Sequence, residues 1–301
     1  MGIESILVVA KKTTIERYVE ERPDPKFRRL VEAGDPMVAR ARATHDAHRR
    51  ALDVVRAVLD ARGLPWQIVY STRSAKPNDL VLAVGGDGTL LDASHGVVDQ
   101  PVLLVNSFPQ TSVGFFAGAT AETFAERLDQ VIAGTVEPVS LNRIAVEVDG
   151  RPLTHPALND ILLAHENPAA TSSYVIRVDG EEEKHVSSGV WVSTAAGSTA
   201  AIRAAGGVRQ PLLSRDLQYL VRELYRAPGS SLRLTGGIVS DSLEFVSRMY
   251  EGAVFLDGHR LRHAIGYADR IVVRAHAHPL CIYLFDRRQP SRDTVEGAPR
   301  R

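Results

Sequence analysis

The chain has 301 residues, a length that predicts two domains, each large enough to bury a substantial core. Its 36 basic and 36 acidic side chains balance to a formal charge of zero, so it lacks the positive field that dominates binding to nucleic acids and anionic membranes, and we expect neither as a partner. No apolar run approaches the roughly 18 residues of a membrane span. The single cysteine, Cys281, cannot form an internal disulfide, which favours a cytoplasmic protein.

The first half of the chain alternates apolar runs with segments of helical spacing. Strand-type runs lie at 6–10 and 66–70, and nearly uninterrupted apolar runs, typical of strands buried on both faces, lie at 79–84 and 101–105. Apolar residues recur at helical spacing over 44–62, 89–98 and 121–133. Strands of this type belong to parallel sheets covered by helices, so the pattern predicts an α/β domain with a mainly parallel, Rossmann-like sheet.

After Pro138 the pattern changes to short alternating segments. Two of these segments run into Asp149-Gly150 and Asp179-Gly180, which are strong signals for β-hairpins. The second half is therefore predicted to be a β-rich, β-sandwich-like domain that begins near residue 140. Two helices are predicted within it, near 199–205 and over 215–225. The final segment 287–301 carries two prolines and five arginines and is predicted to be a disordered tail.

The sharpest motif is Gly85-Gly86-Asp87-Gly88-Thr89, which directly follows a predicted buried strand and opens a predicted helix. Glycines let the backbone approach a phosphate closely, and the N–H groups of a helix start attract that anion. A carboxylate at position 87 would crowd a bound phosphate unless it binds a metal or accepts a proton. The alternative is a tight strand-to-helix turn in which Asp87 or Thr89 caps the helix.

Two further motifs lie in the second half. The segment 194–201 is a turn of small residues that enters an Ala-rich helix, and Ser198 and Thr199 offer hydroxyl groups near its start. The alternative is a capped helix that packs closely through its alanines. The pair Asn159-Asp160 leads a predicted strand and is, by itself, a turn signal.

Together, in this order and spacing, the three motifs resemble those of the NAD kinase family. The likeness extends over most of the chain and is greatest to the mitochondrial-type branch, because of Lys12-Thr13-Thr14, Val105-Asn106-Ser107 and Lys184 with Ser187-Ser188-Gly189. The resemblance implies an N-terminal domain over 1–140, an NAD-binding domain over 141–270 and a segment, 271–290, that returns to the first domain. A disordered tail would follow over 291–301.

The resemblance also implies a reaction, transfer of the γ-phosphoryl group of ATP to the 2′-hydroxyl of the adenosine ribose of NAD. A ribose hydroxyl is too weak an acid to ionise at pH 7, so a carboxylate must accept its proton, and Asp87 is the candidate base. Mg²⁺ would arrive on the triphosphate rather than at a protein metal site. Family members generally form homodimers or homotetramers.

Phosphate contacts are expected from Gly85, Gly86, Gly88 and Thr89. Contacts to NAD are expected from Asn159, Asp160, Ser188, Thr194, Ser198, Thr199 and His259.

The chain also departs from the family pattern. Most members have aspartate in place of Ser188, and that aspartate is associated with the nicotinamide end of the substrate. Ala196 and Ala201 replace a threonine and a tyrosine. The choice between NAD and NADH, and between ATP and polyphosphate, therefore stays open. The alternatives are a related kinase acting on a nucleoside, sugar or lipid hydroxyl, and a non-catalytic dinucleotide sensor. For His259, a plain hairpin turn at Asp257-Gly258 is the alternative.

Overall fold

The computed structural model describes residues 2–70, 79–229 and 231–285, so the tail predicted over 291–301 lies outside the described residues. The first half forms strands and helices in alternation. Its strands are β1 (Ile6–Ala10), β2 (Trp66–Val69), β3 (Leu80–Gly85), β4 (Val102–Asn106) and β5 (Ala119–Thr120). Its helices are α1 (Pro25–Glu32), α2 (Ala39–Ala61), α3 (Asp87–Ser94) and α4 (Phe124–Ile132), with a π-helical segment at Glu16–Glu21 and a 3-10 turn at Pro36–Val38.

The second half is dominated by strands. They are β6 (Val139–Leu141), β7 (Ile144–Val148), β8 (Arg151–Pro152), β9 (Asp160–His165), β10 (Ser172–Val178), β11 (Glu181–Ser187), β12 (Val190–Ser193), β13 (Leu217–Val221), β14 (Gly236–Val239), β15 (Ser242–Ser247), β16 (Gly252–Leu256), β17 (Leu261–Ile265), β18 (Arg270–Ala275) and β19 (Leu280–Ile282). A 3-10 turn at Ala196–Thr199 leads into the short helix α5 (Ala201–Ala204).

The first sheet has the order β2-β1-β3-β4-β19-β6, with β5 paired to β4, and is parallel except where β19 meets β6. Its central strands are buried on both faces, which explains their uninterrupted apolar runs. Helix α2 packs on one face and α3 on the other. The predicted parallel α/β architecture is confirmed.

The order of this sheet creates a crevice. The chain leaves β1 toward α2 and β2 on one side, whereas it leaves β3 toward α3 and β4 on the other. Because β1 and β3 are neighbours, the connections at their carboxyl ends diverge to opposite faces. Ligands of open α/β sheets bind in the crevice that such a divergence opens.

Two antiparallel sheets form the second half, with orders β11-β10-β15-β18-β7-β8 and β14-β13-β12-β9-β16-β17. Their inward side chains, including Tyr174 and Phe245 from one sheet and Val192 and Tyr219 from the other, belong to one buried cluster. The predicted β-sandwich is therefore confirmed. Both predicted Asp-Gly hairpins are also present, since positive φ angles at these residues produce the tight turns between β7 and β8 and between β10 and β11.

Three helix predictions differ from the structure. The helix predicted over 215–225 is wrong, because β13 occupies this segment and pairs with both β12 and β14. Pairing within a buried sheet outweighs a local helical pattern. The helix predicted over 89–98 begins earlier and ends at Ser94. The helix predicted near 199–205 is shortened to α5, because Ala200, with φ −94° and ψ −135°, interrupts helical geometry.

The last strands connect the two halves. Strand β18 pairs with β15 and β7 in the β-sandwich, so residues 271–275 do not belong to the returning segment. Strand β19 lies between β4 and β6 in the parallel sheet. The chain therefore crosses back between residues 275 and 280. Cys281 is a free, half-buried thiol on β19.

Candidate active site

The glycine-rich turn joins β3 to α3 at the crevice. A Cβ on Gly85 would lie 2.1 Å from Thr89 Oγ1, and one on Gly86 would lie 2.9 Å from Ser112 Oγ. Gly85 is therefore required by the packing of the protein itself, because the buried Thr89 covers it, whereas at Gly86 only the hydroxyl of Ser112 lies close. Only Gly88, which is exposed, has open space beside its Cα. No side chain caps α3, so neither Asp87 nor Thr89 has the capping role.

The carboxylate of Asp87 is held by backbone N–H groups. The amide of Phe115 donates to Oδ2 at 2.9 Å, and the amide of Phe116 donates to Oδ1 at 3.1 Å. Hydrogen bonds from amides to a carboxylate are strong and directional. They fix the half-buried side chain at the carboxyl end of β3, where the crevice opens.

The segment that supplies these amides is itself anchored by Asn106 at the end of β4. Its side-chain nitrogen donates to the carbonyl of Ser112 at 3.3 Å, and its oxygen accepts from the amide of Phe108 at 3.1 Å. Gly114 has a φ of +56°, and a Cβ there would lie 2.3 Å from Asn106 Nδ2. In the sequence, Asn106 stands out only through the family resemblance, and no local signal marks the two phenylalanine amides.

The Asn159-Asp160 turn is organised by Asp257, whose sequence neighbourhood by itself predicts only a hairpin turn. The carboxylate of Asp257 accepts the amides of Leu158, Asn159 and Asp160 at 2.8, 2.7 and 3.2 Å. His95 Nε2, just beyond α3, lies 2.9 Å from the same carboxylate, which is fully buried. Asp257 therefore ties the turn of the second half to the end of α3. In the sequence, the Asp257-Gly258 pair is the feature that draws attention to this residue.

Two side chains of this turn have unusual surroundings. Asp160 is 6% exposed, and burial together with the negative charge of Asp257 raises its pKa to about 7. Asn159 Oδ1 is buried and accepts no hydrogen bond from any residue within the described ranges. A buried amide oxygen without a donor costs free energy unless a ligand or water supplies one.

The turn at 194–199 packs directly against Asn159. Thr194 Oγ1 donates to the carbonyl of Leu158 at 2.6 Å, and a Cβ on Gly197 would lie 2.1 Å from the carbonyl oxygen of Asn159. Ser198 Oγ donates to the carbonyl of Ala195 at 2.7 Å. The hydroxyls of Thr194 and Ser198 thus hold the turn together, whereas Thr199 is exposed.

The structure brings the three motifs together through one buried cluster. Leu158 and Ala196 from the second half belong to the same cluster as Leu90 of α3 and Phe116, whose amide binds Asp87. The sandwich turns therefore pack onto the helix that begins with Asp87. The candidate site lies where the two halves meet.

Two predicted residues lie apart from this cluster. Ser188 is half-buried at the opposite end of β12 from Thr194, roughly 15–20 Å away at about 3.3 Å per strand residue. Its amide donates to the carbonyl of Arg222 at 3.0 Å. His259 is exposed at the tip of the hairpin between β16 and β17. Within that hairpin, Asp257 is the residue that contacts the Asn159-Asp160 turn.

Within residues 2–70, 79–229 and 231–285, no three His, Cys, Asp or Glu side chains lie close enough together to hold a metal ion. In the same part of the chain, no helix has the length and hydrophobicity needed to cross a membrane.

A cavity of about 320 Å³ lies between α2 and the segment after β4, with Arg50 and Glu122 among its lining residues.

Known proteins resemble the chain over most of its length. The family model for the ATP-NAD kinase N-terminal domain matches residues 11–136. A protein named probable NADH kinase from Oryza sativa subsp. japonica is 35% identical over 264 residues, covering 79% of this chain and 81% of that protein.

Two solved structures share the fold at low sequence identity. An NAD kinase from Archaeoglobus fulgidus in complex with ATP has a TM-score of 0.64 and 19% identity, covering 93% of both chains. Yeast NADH kinase complexed with NADH has a TM-score of 0.66 and 17% identity, covering 95% of this chain and 84% of that one. At these identities the likeness establishes the fold.

Proposed function

This chain belongs to the NAD kinase family, and we propose that it transfers the γ-phosphoryl group of ATP to the 2′-hydroxyl of the adenosine ribose of NAD, giving NADP and ADP. The observation that carries the proposal is the carboxylate of Asp87, held by two amides at the crevice of the parallel sheet. Phosphoryl transfer relies on positioning and on charge neutralisation, and it needs a group that accepts the hydroxyl proton.

Asp87 is proposed as that general base. Each carboxylate oxygen has about two acceptor positions, so one amide on each oxygen leaves room for the 2′-hydroxyl proton. As the new bond forms between the 2′-oxygen and the γ-phosphorus, the bond from phosphorus to the bridging oxygen of ADP breaks. The hydroxyl proton passes to the Asp87 carboxylate, and the two amide bonds keep that acceptor oriented during the transfer.

The triphosphate is proposed to lie against the start of α3. Gly88 has open space beside it, and the N–H groups at the start of a helix attract anions. Gly85, Gly86 and Thr89 shape this turn from within. Mg²⁺, when bound to the triphosphate, would neutralise charge there. We propose that the ion arrives with ATP, bound to its triphosphate.

The acceptor is proposed to lie against the Asn159-Asp160 turn. The unbonded Asn159 Oδ1 suits a donor such as the adenine amino group or a ribose hydroxyl. Thr194 and Ser198 would act by holding the turn, since their hydroxyls bond to backbone carbonyls. Thr199, His259 and Ser188, which are exposed or half-buried, are proposed to line the rest of the dinucleotide site.

NADH is proposed as a second acceptor. The rice relative and one of the solved structures are named NADH kinases. Ser188 supplies no negative charge that would favour the cationic nicotinamide of NAD over the neutral ring of NADH. The test is the ratio of kcat/KM for the two dinucleotides, measured with ATP and again with polyphosphate. The substitution Ser188→Asp should shift the ratio toward NAD, and an unchanged ratio would remove Ser188 as a determinant.

The main test of function is Asp87→Asn. We expect kcat for NADP formation to fall by about 10²–10⁴-fold, because the side-chain amide of asparagine cannot accept the hydroxyl proton. Binding of the dinucleotide should be retained. Calorimetry with NAD measures the binding, and a coupled NADP assay measures turnover. Asp53→Asn, an exposed carboxylate on α2, is the matched control and should keep wild-type kcat. Normal turnover in Asp87→Asn would exclude this residue as the base.

We also propose that the protein acts in the cytoplasm as a homodimer or homotetramer. The free thiol of Cys281 suits a reducing compartment. Edge strands such as β14 and β17 offer unpaired backbone groups to a second copy. Light scattering during size-exclusion chromatography measures the subunit number, and a monomer at micromolar concentration would contradict the proposed assembly.

A further inference from the structure

A second group of polar side chains, to which no role has been assigned so far, lies at the carboxyl end of β1. This β1-end cluster consists of Lys11, Thr13, Glu16, His45 and His48. The amide of Lys11 donates to the carbonyl of Val84 at 3.4 Å, so the cluster borders the glycine-rich turn that begins one residue later. It therefore lies at the crevice between β1 and β3.

The acidic member of the cluster is already engaged. Thr13 and Glu16 form a reciprocal capping box, in which the amide of Thr13 donates to Glu16 Oε2 at 2.8 Å and the amide of Glu16 donates to Thr13 Oγ1 at 3.2 Å. His45 Nδ1 lies 2.8 Å from the same hydroxyl. Arg49 lies 3.7 Å from Glu16 Oε1. The carboxylate of Glu16 thus has its own hydrogen bonds and a cationic neighbour.

His48 is a neutral neighbour of Lys11. The ring is fully buried, and Nδ1 lies 3.1 Å from Ser107 Oγ. Burial, and next the positive charge of Lys11, lower the pKa of His48 to about 4, so the ring is neutral at pH 7. A neutral imidazole does not compensate a neighbouring ammonium group.

The positive charge of Lys11 is consequently balanced only in part, by the nearby Glu16. Its side chain is half-buried, and burial lowers its pKa, although Glu16 partly opposes this shift. Its ammonium group forms no ion pair or hydrogen bond with residues 2–70, 79–229 or 231–285. The neighbouring Lys12, by contrast, forms an ion pair with Glu21 and lies 5.2 Å from the ring centroid of Tyr70. A partly desolvated ammonium group without an anion in contact is costly, so its place beside the glycine-rich turn favours an anionic ligand there.

We propose that Lys11 is a catalytic residue whose ammonium group contacts the triphosphate of the phosphoryl donor at the crevice between β1 and β3. This inference rests on the proposed function. Lys11 comes from the parallel sheet beside the glycine-rich turn, whereas the groups assigned to the acceptor come from the β-sandwich. During transfer, negative charge builds on the leaving oxygen of ADP, and the lysine stabilises that charge without exchanging a proton.

The test compares Lys11→Met with Lys12→Met, two adjacent substitutions that remove the same charge. We expect Lys11→Met to lower kcat/KM for ATP by about 10²–10³-fold, with KM for NAD changed less than about twofold. Lys12→Met should stay near the wild-type value, and Lys11→Arg should recover part of the lost rate. Because Lys11 has no ion pair to lose, the thermal midpoint of Lys11→Met should equal or exceed that of wild type.

Calorimetric titration with Mg-ATP separates this inference from the proposed function. Weaker binding of Mg-ATP to Lys11→Met than to Lys12→Met would support the contact between Lys11 and the triphosphate. If wild type phosphorylated neither NAD nor NADH, the proposed function alone would be overturned, and this binding result would still support the contact. Equal ATP binding and equal kcat/KM in the two variants would overturn the role of Lys11. A rise in KM for NAD with KM for ATP unchanged would also overturn it, because the contact would then be to the dinucleotide pyrophosphate.

Discussion

Two neighbouring carboxylates at the candidate site, those of Asp257 and Asp160, differ in the number of hydrogen bonds that they accept. Asp257 is buried but accepts three amides and lies beside His95, so its negative charge is well solvated by the protein. Asp160 is buried next to that charge, and its side chain receives no hydrogen bond from the residues that the structure describes. Its pKa of about 7 follows from burial first and from Asp257 second. The carboxyl group of Asp160 therefore titrates near neutral pH.

This difference predicts a pH-dependent effect of Asp160→Asn. The pKa of Asp160 is higher in the folded than in the unfolded chain, where aspartate titrates near 3.9, so the native protein binds more protons between about pH 4 and 7 and its stability falls as pH rises through that range. Asparagine carries no charge at any pH, so the Asp160→Asn variant avoids this loss of stability. Its free energy of unfolding should therefore rise relative to that of wild type as the pH increases, by at most about 4 kcal/mol at pH 8.

Urea unfolding at pH 5 and pH 8 measures the difference. Asp241→Asn, which changes an exposed aspartate, should show no such growth. A difference between Asp160→Asn and wild type that is the same at both pH values would contradict the raised pKa.

At the scale of the element, the turn between β3 and α3 uses its glycines in two ways. Gly85 and Gly86 admit Thr89 and Ser112, which pack where a Cβ would lie. Gly88 faces open space in the first turn of α3, where only a ligand would require the absence of a side chain. One motif thus combines a glycine required for folding, Gly85, with one suited to binding, Gly88.

Alanine at positions 85 and 88 should change stability in opposite directions. Gly85→Ala should destabilise the fold by about 1–3 kcal/mol, because the added carbon would overlap the side chain of Thr89. Gly88→Ala should stabilise it by roughly 0.5–1 kcal/mol, because alanine favours helix, yet KM for ATP should rise. Thermal unfolding and steady-state kinetics measure these effects. Equal destabilisation by both substitutions would contradict the division of roles.

At the scale of the whole molecule, Arg143 joins the two halves. Its guanidinium is fully buried and donates only to backbone carbonyls within the described residues, at 2.7–3.1 Å for Ser94, Val97, Val98 and His278. Burial lowers its pKa to about 10, so it remains charged at neutral pH. These carbonyls belong to the end of α3 and to the crossing between β18 and β19. One side chain therefore connects the helix that begins with Asp87 to the returning strand.

Arg143→Met should lower the free energy of unfolding by about 3–5 kcal/mol, because it leaves several buried carbonyls without donors. Both halves should unfold in one transition at a lower midpoint, since β19 lies inside the parallel sheet. Circular dichroism and tryptophan fluorescence, followed together, measure this. Arg151→Met, at an exposed position on β8, is the control. Loss of stability in only one half would contradict a joining role.

The sequence by itself determined the features that depend on neighbouring residues. Uninterrupted apolar runs predict strands buried on both faces, and Asp-Gly pairs predict tight hairpins, because burial pattern and turn conformation are local properties. The same locality explains the wrong helix over 215–225, where partners distant in sequence decided that β13 forms. The glycine-rich turn was visible for the same reason, since its residues are consecutive.

Only the tertiary structure decided how the site is assembled. The amides of Phe115 and Phe116 bind Asp87 across 28 and 29 residues, and Asp257 binds the Asn159-Asp160 turn across 97 to 99. The same carboxylate that local sequence assigns to a hairpin turn connects the neighbouring strands β9 and β16 to His95 at the end of α3. Hydrogen bonds of this kind depend on which strands are neighbours, and strand order is a property of the packed molecule that no local pattern encodes.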